Sequence, residues 1–503
     1  MKGRTKSPAD RKRPRAIAAE TLSLALLPDG PARFAQIRDQ IRDLVARGVL
    51  APGMRLPPVR GLAAQLGVNP VTVARAYREL AEARVLEGRH GGGSFVTATA
   101  AGETDGPTET DTRPLLAERL SELGRAPGVI AFTANYPAVD DAIRRDFRKS
   151  LTAVARDRLD DCLRYDPPLG RPSLRHQIGA YLTRQGLTTD PDNILITAGG
   201  QQAIDLAVRA LLGPGDPVVI EQPAYHGVIG ALRGVRAAIV EVPLHNDGID
   251  LDACEAAIVR RRAKLICVNP TFQNPTGITT SAQKRADLLA LARRYGAVVL
   301  EDDHSPELRF RGTAVPALRA LASPDDPVLY ARGFGKTLLP GVRLGCLVFP
   351  EALRRRLLGA KACADLHTNG VMQEAMADFL QKQSCSGALD RMRRTYGLRQ
   401  QRIYDGLVRG MPDGTLISRP EGGLSLWLTL PEGADVAELY FRAVHRGVAF
   451  VSGEVFHASR PRSRSLRISF GLNTPEEIDE GVVRLCSVVE DVLTQRSRDR
   501  FVT

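Results

Sequence analysis

Apolar residues at Phe34, Ile37, Ile41, Leu44 and Val45 recur at helical spacing and predict a first helix over 34–47, ended by Gly48. After the turn A-P-G-M-R-L-P-P (51–58), Pro58 opens a second helix with Val59, Leu62, Ala63 and Leu66 as its buried stripe, and Gly67 breaks it. Asn69 caps a third helix with Pro70 at its first position, and Val71, Val73, Ala74, Tyr77 and Leu80 carry it to about Ala83. V-L-E-G-R-H-G-G-G-S-F-V (85–96) then reads as two strands about a glycine-rich tip. Two short helices across a Gly-Val-Asn turn, followed by a hairpin, predict a winged helix-turn-helix whose second helix enters the major groove of DNA.

The pattern changes further along. Residues 97–125 have no apolar periodicity and are rich in Thr, Gly, Ala and acids, which predicts a flexible tether. From 126 onward, helical patterns alternate with short apolar runs: Ile194–Thr197, Pro217–Ile220, Ala238–Val242, Leu265–Val268, Ala297–Leu300 and Val328–Tyr330. That alternation predicts an α/β domain with a mainly parallel sheet covered by helices. The expected organisation is a basic tail (1–15), a DNA-binding domain (16–99), a linker (100–125) and a large domain (126–503) with a smaller C-terminal α/β subdomain from roughly 365.

Charge sharpens the picture at one end. Residues 1–99 carry 17 Lys/Arg against 8 Asp/Glu, so most of the net charge of +12 lies in the first fifth of the chain. An acidic polymer is the expected partner there, most simply double-stranded DNA. The seven cysteines are scattered without paired spacing, which points to reduced thiols and neither a disulfide scaffold nor a zinc site. Glu20 interrupts the apolar stretch Ala16–Leu27, so no secretory signal is expected, nor any membrane span; the expectation is a cytoplasmic protein.

Candidate chemistry gathers at the ends of the predicted strands, where ligands of such sheets bind. In Y-A-R-G-F-G-K-T-L-L-P-G-V-R-L-G (330–345), Lys336 sits in a tight, largely apolar turn that lowers the pKa of an amine and frees it to attack a carbonyl. Arg343 offers a fork for a phosphate. A-G-G-Q-Q-A, after the first strand, lets backbone N–H groups approach a phosphate at a helix N-terminus. E-Q-P-A-Y-H-G places Tyr225 to lie over a flat ring, N-P-T-F-Q-N-P-T-G supplies Asn274 as donor to a phenolic oxygen, and E-D-D-H-S offers a carboxylate to a protonated pyridine nitrogen. Together these suit a lysine holding pyridoxal phosphate as a Schiff base.

Two resemblances follow from these motifs. G-V-L-A-P-G-M-R-L-P-P-V-R-G-L-A, L-G-V-N-P-V-T-V-A-R-A-Y-R-E-L and G-G-G-S-F-V, in that order, resemble the GntR family of bacterial regulators. This implies DNA contacts by Arg60, Thr72 and Arg75, with the wing at Gly91 and Gly92 near the minor groove. On the recognition helix, Arg78 has a structural alternative, pairing with Glu82. The stretch from about Ile130 to Val492 resembles the class I and II aminotransferases of fold type I. Carried over, the resemblance implies Lys336 as the Schiff-base residue, Asp302 on the pyridine nitrogen, Asn274 on the ring hydroxyl and Tyr225 stacked on the ring. Gly199, Gly200 and Arg343 would hold the phosphate, with Tyr165 reaching it from a second subunit. Arg467, in S-L-R-I-S-F-G, would clamp a substrate carboxylate, the alternative being a strand-end salt bridge.

Some positions depart from that pattern. His304 stands where a tyrosine commonly meets the ring hydroxyl, so a weaker, pH-dependent substitute is expected. Ala198, Gly333 and Gly335 stand where hydroxyl residues are common, which removes phosphate hydrogen bonds. The whole chain resembles the MocR subfamily of GntR regulators. The implied protein is a homodimeric, pyridoxal phosphate-dependent transcriptional regulator that senses an amino compound or the vitamer itself. A metabolic aminotransferase with an accessory DNA-binding domain is the alternative.

Overall fold

A computed structural model describes residues 24, 26, 32–46, 50, 54–89, 93–97, 127–382, 386–459 and 463–501. The tail 1–15, the wing tip with Gly91 and Gly92, and the linker 100–125 lie outside the described residues. The chain parts into two units, residues 1–109 and 110–503.

Among its described residues the first unit has three helices, α1 (Arg33–Ala46), α2 (Val59–Leu66) and α3 (Pro70–Glu82), and a hairpin of β1 (Leu86–Arg89) and β2 (Gly93–Val96). Gly67, at φ 60°, closes α2 in the left-handed region that favours glycine, and the Asn69 side chain accepts from the N–H of Val71 to open α3. The buried face of α3 is Val73, Ala76, Tyr77 and Leu80. Of the apolar residues from which the sequence predicts this helix, Val71 is 71 % exposed and Ala74 is also exposed. The i, i+3, i+4, i+7 set beginning at Val73 is the one that faces the core, so α3 presents Val71 and Ala74 to solvent. The hairpin is antiparallel with Leu86 opposite Val96.

In the second unit the sheet strands are β3 (Ile194–Thr197), β4 (Pro217–Gln222), β5 (Ala238–His245), β6 (Gly248–Ile249), β7 (Leu265–Val268), β8 (Val298–Asp302), β9 (Val328–Gly333) and β10 (Gly345–Val348). They form one eight-stranded sheet in the order β3-β10-β9-β8-β7-β4-β5-β6. Five central strands, β9, β8, β7, β4 and β5, run parallel. Val218, Val219 and Ile220 are fully buried, because helices cover both faces and each strand is therefore continuously apolar. β10 was not read from the sequence. It lies antiparallel between β3 and β9, so its beginning, and not its end, falls at the edge where its neighbours' carboxyl ends gather.

A second sheet of four strands, β11 (Leu416–Ile417), β12 (Ser425–Thr429), β13 (Val451–Ser452) and β14 (Ser465–Ser469), has the order β11-β12-β14-β13. Helices Ser386–Gly410 and Pro475–Phe501 pack together beside it. Ile130–Ala131 pairs in parallel with Val448–Ala449, so the segment just after the linker belongs structurally to this C-terminal layer. Among the described residues no helix is long and apolar enough to cross a membrane.

Candidate functional site

The carboxyl ends of β3, β4, β7, β8 and β9 carry, in turn, Gly199–Gly200, Tyr225, Asn274, Asp302 and Lys336. Arg343 joins them because it immediately precedes the antiparallel β10, and its Nη2 lies 3.4 Å from the carbonyl of Ala198.

At one end is a phosphate-sized cradle. Gly199 (φ 91°) precedes helix α4 (Gly200–Leu211), whose first N–H groups have no intrahelical acceptor. A side chain on Gly199 would begin 3.0 Å from Arg343 Nη2. Arg343 itself holds a left-handed backbone (φ 53°), a conformation that clusters at functional sites in non-glycine residues. Gly333 is not simply a lost hydroxyl, as the sequence suggested: a Cβ there would lie 3.0 Å from the N of Gly200. The end of β9 is packed directly on the start of α4, and only glycine leaves room.

The middle of the site is electrostatic. Of the three consecutive acids, Glu301 accepts the N–H groups of Leu318 and Arg319 at 2.8 and 2.9 Å, and Asp303 accepts from the Tyr330 hydroxyl at 2.9 Å. The Asp302 carboxylate accepts no hydrogen bond among the described residues. Burial pushes its pKa up to about 6, opposed by Lys336. Lys336 Nζ lies 5.7 Å from the Tyr225 ring centroid. Burial pulls its pKa down to about 8, with Asp302 opposing and Arg467 adding to the shift. The ordinary lysine value is 10.5, so between about 8 and 10.5 the folded chain holds fewer protons than the unfolded one, and stability from this group rises with pH through that window. Attachment of an aldehyde to the cofactor-free protein should therefore speed up about tenfold per pH unit below about pH 8 and level off above it. Stopped-flow mixing with pyridoxal phosphate across pH 6–10 (roughly the span of this titration) checks this.

His304 differs from expectation. Its Nε2 lies 3.2 Å from the Phe272 carbonyl, and Ser305 Oγ donates to its Nδ1 at 2.6 Å. Burial, with Lys336 next, holds its pKa far below the usual histidine range. Both nitrogens are committed to protein and the ring stays neutral, so neither the contact to a ring hydroxyl nor the pH dependence expected there applies.

Arg467, on β14, is only 5 % exposed. It donates from Nη1 to Asn274 Oδ1 at 2.9 Å and from Nη2 to the Thr133 carbonyl at 3.1 Å, while its buried Nε has no partner. Burial lowers its pKa to about 10. No carboxylate pairs with it among the described residues, so the strand-end salt bridge considered from the sequence is absent. A buried guanidinium with an idle N–H and no counter-ion among the described residues has the donors to bind a carboxylate. Asn269 was missed by sequence reading. Its Nδ2 holds the Asp302 carbonyl and its Oδ1 accepts the Asn274 N–H at 2.7 Å, fixing both loops.

Tyr165 stands apart. It is 84 % exposed, its ring edge-on to His367 at 5.6 Å. In the first unit, Arg60 is exposed at the start of α2 and Thr72 is half-buried in the first turn of α3. Arg75 is also exposed but not free: its Nε is 3.1 Å from Glu79, and its guanidinium lies 3.6 Å over the Phe34 ring. The i, i+4 ion pair on α3 is thus Arg75–Glu79, in place of the Arg78–Glu82 pair weighed from the sequence.

The cradle, the unpaired acid, the half-buried amine and the unpaired guanidinium fit pyridoxal phosphate bearing an amino acid. Comparisons with known proteins agree. Residues 127–485 match the family "Aminotransferase class I and II", and residues 34–96 match "Bacterial regulatory proteins, gntR family". The HTH-type transcriptional regulator TauR of Rhodobacter capsulatus is 30 % identical over 93 % of this chain and 99 % of its own. The 2-aminoadipate transaminase of Thermus thermophilus is 35 % identical over 74 % of this chain and 93 % of its own. The structure of LysN, an α-aminoadipate aminotransferase of Thermus thermophilus complexed with N-(5'-phosphopyridoxyl)-L-leucine, superposes with a TM-score of 0.69 at 34 % identity, covering 75 % of this chain and 95 % of that one.

Proposed function

This chain belongs to the aminotransferase class I and II family and, with its gntR-family domain, to the fused HTH-type regulators that include MocR and TauR; from that premise we propose that an amino acid meeting pyridoxal phosphate at Lys336 alters how the N-terminal domain engages DNA. The protein is a DNA-binding transcriptional regulator with a pyridoxal phosphate-binding effector domain. The observation that carries the proposal is Arg467, a buried cation with a spare donor and no counter-ion, hydrogen-bonded to Asn274.

Each residue has a part in binding. Lys336, neutral above about pH 8, supplies the amine that attaches the cofactor. Asp302 would face the ring nitrogen, Tyr225 the ring and Asn274 its hydroxyl, while Gly199, Gly200 and Arg343 would receive the phosphate. Bound there, pyridoxal phosphate supplies an electron-withdrawing ring to an attached amine. Arg467 orients the carboxylate of that amine's owner. Tyr165 is 84 % exposed and its hydroxyl makes no hydrogen bond among the described residues, which supports a homodimer in which it serves the partner's phosphate. In this reading Arg60 and Thr72 touch DNA.

A second reading, a metabolic transaminase, is favoured by the complete set of Lys336, Asp302 and Arg467. One experiment separates the two. Titrating the cofactor-loaded protein with amino acids, while following its visible absorption and any keto acid released, should give a spectral shift without stoichiometric turnover. Sustained keto acid production with a second keto acid as acceptor would support the enzyme instead.

A further inference from the structure

Lys361, on the helix Arg354–Asp365, is fully buried and takes no part in the chemistry described above. A buried ammonium is costly unless oxygen acceptors surround it. Lys361 Nζ donates to Gln202 Oε1 at 3.1 Å, to Asp365 Oδ2 at 2.8 Å and to Thr368 Oγ1 at 2.8 Å, which uses all the hydrogens an ammonium has. Two of these acceptors lead back to the phosphate cradle. Thr368 Oγ1 donates in turn to the carbonyl of Ile196, on β3, at 3.2 Å. Gln202 lies in the first turn of α4, and its Oε1 also accepts the N–H of Ala198 at 2.7 Å.

The Gln202 amide is held in one orientation. Its Nε2 donates to Asp365 Oδ2 at 2.8 Å, and turning the amide over would set Nε2 against two other donors, the Lys361 ammonium and the Ala198 N–H. Lys361 and Asp365 together therefore fix which way the amide oxygen points. That oxygen holds one side of Ala198, while Arg343 Nη2 lies 3.4 Å from the Ala198 carbonyl on the other. Directly after it, Gly199 turns through φ 91° into the start of α4. Ala198 has no hydroxyl to offer a phosphate, so this corner presents backbone N–H groups and the Arg343 fork, and the placement of both runs through Ala198.

We propose that Lys361 is a positioning residue for the phosphate group of pyridoxal phosphate, acting through Gln202 on the backbone of residues 198–200 and on Arg343. It is not one of the groups that would meet the cofactor; it holds the cradle in its binding shape before the phosphate arrives. The proposal rests on the reading of Gly199, Gly200 and Arg343 given above.

The test is a titration of the cofactor-free full chain with pyridoxal phosphate and with pyridoxal, which lacks the phosphate, reading the absorption band of each. Lys361→Met should weaken pyridoxal phosphate about tenfold while leaving pyridoxal within about twofold of wild type. If Lys361→Met does not fold, Gln202→Leu, at a half-buried position, carries the test with the same selective loss. The double variant should lose no more than the larger of the single losses, because both residues act on one path. Arg343→Gln is the control for the cradle itself and should also be selective. An equal loss for the two aldehydes, or no loss in either variant, would overturn the proposal. If Arg343→Gln alone is selective, the cradle stands and only the role of Lys361 falls. If Arg343→Gln binds both aldehydes as wild type does, the cradle reading falls with it.

Discussion

Lys336→Ala protein should show no visible band after incubation with pyridoxal phosphate and gel filtration, where wild type retains one. Lys336 stands at the end of β9, half-buried, with its pKa lowered to about 8 by burial and no hydrogen-bond partner among the described residues. An amine so placed is a nucleophile near neutral pH, and alanine leaves only the non-covalent contacts of Asp302, Tyr225 and the phosphate cradle. Removing a burdened, half-buried cation should not lower thermal stability of the cofactor-free protein. An unchanged melting temperature with a lost band marks an attachment residue. A band that survives in the variant would place the attachment elsewhere.

Arg467→Gln is the second large effect. Truncating one partner of a buried, hydrogen-bonded charge pair costs about 2–5 kcal/mol of binding, or roughly 30-fold to several thousand-fold in apparent affinity. The loss should fall on amino acids that carry an α-carboxylate. An amine of the same side chain without the carboxylate, phenethylamine against phenylalanine, should respond alike in wild type and variant. Because Arg467 has no counter-ion of its own among the described residues, its replacement removes a desolvated charge and leaves no orphaned acid, so the fold should keep its stability. Isothermal titration with the two ligands separates a carboxylate receptor from a residue that merely braces Asn274.

Much of this site is legible in the sequence because each group follows a continuous apolar run. Gly199, Tyr225, Asn274, Asp302 and Lys336 all stand where a strand buried on both faces must stop, and parallel strands bring their stops to one edge. What is hidden is whatever depends on pairing. Sequence reading passed over β10, and nothing local says that it runs backwards, which is what delivers Arg343 to the cradle. Gly333 reads as a missing hydroxyl until its distance to Gly200 is known. His304 reads as a titrating substitute until Phe272 and Ser305 take both its nitrogens. Trp427 is remote in sequence from every cofactor motif, and only the strand register places it opposite Arg467. On α3, one residue of phase decided which face was buried, and it turned Val71 outward.

The division of labour between the units has a structural basis in α3 as well. Arg75 is held by Glu79 and by the Phe34 ring, which ties the recognition helix to α1 and limits how freely its guanidinium reaches a base. Arg60 and Thr72 carry no such ties among the described residues, so they are the better first substitutions for weakening DNA binding.

Coupling requires that the ligand bind one arrangement of the protein better than another, and that DNA do the same. The decisive measurement is DNA affinity, by fluorescence anisotropy on a fragment from upstream of the protein's own coding sequence, with and without a saturating amino acid that shifts the cofactor band. The expected result is a change of about fivefold or more in wild type that is absent in Lys336→Ala. An identical affinity with and without ligand in wild type, accompanied by steady release of keto acid, would contradict the regulator and leave an aminotransferase that happens to carry a DNA-binding domain.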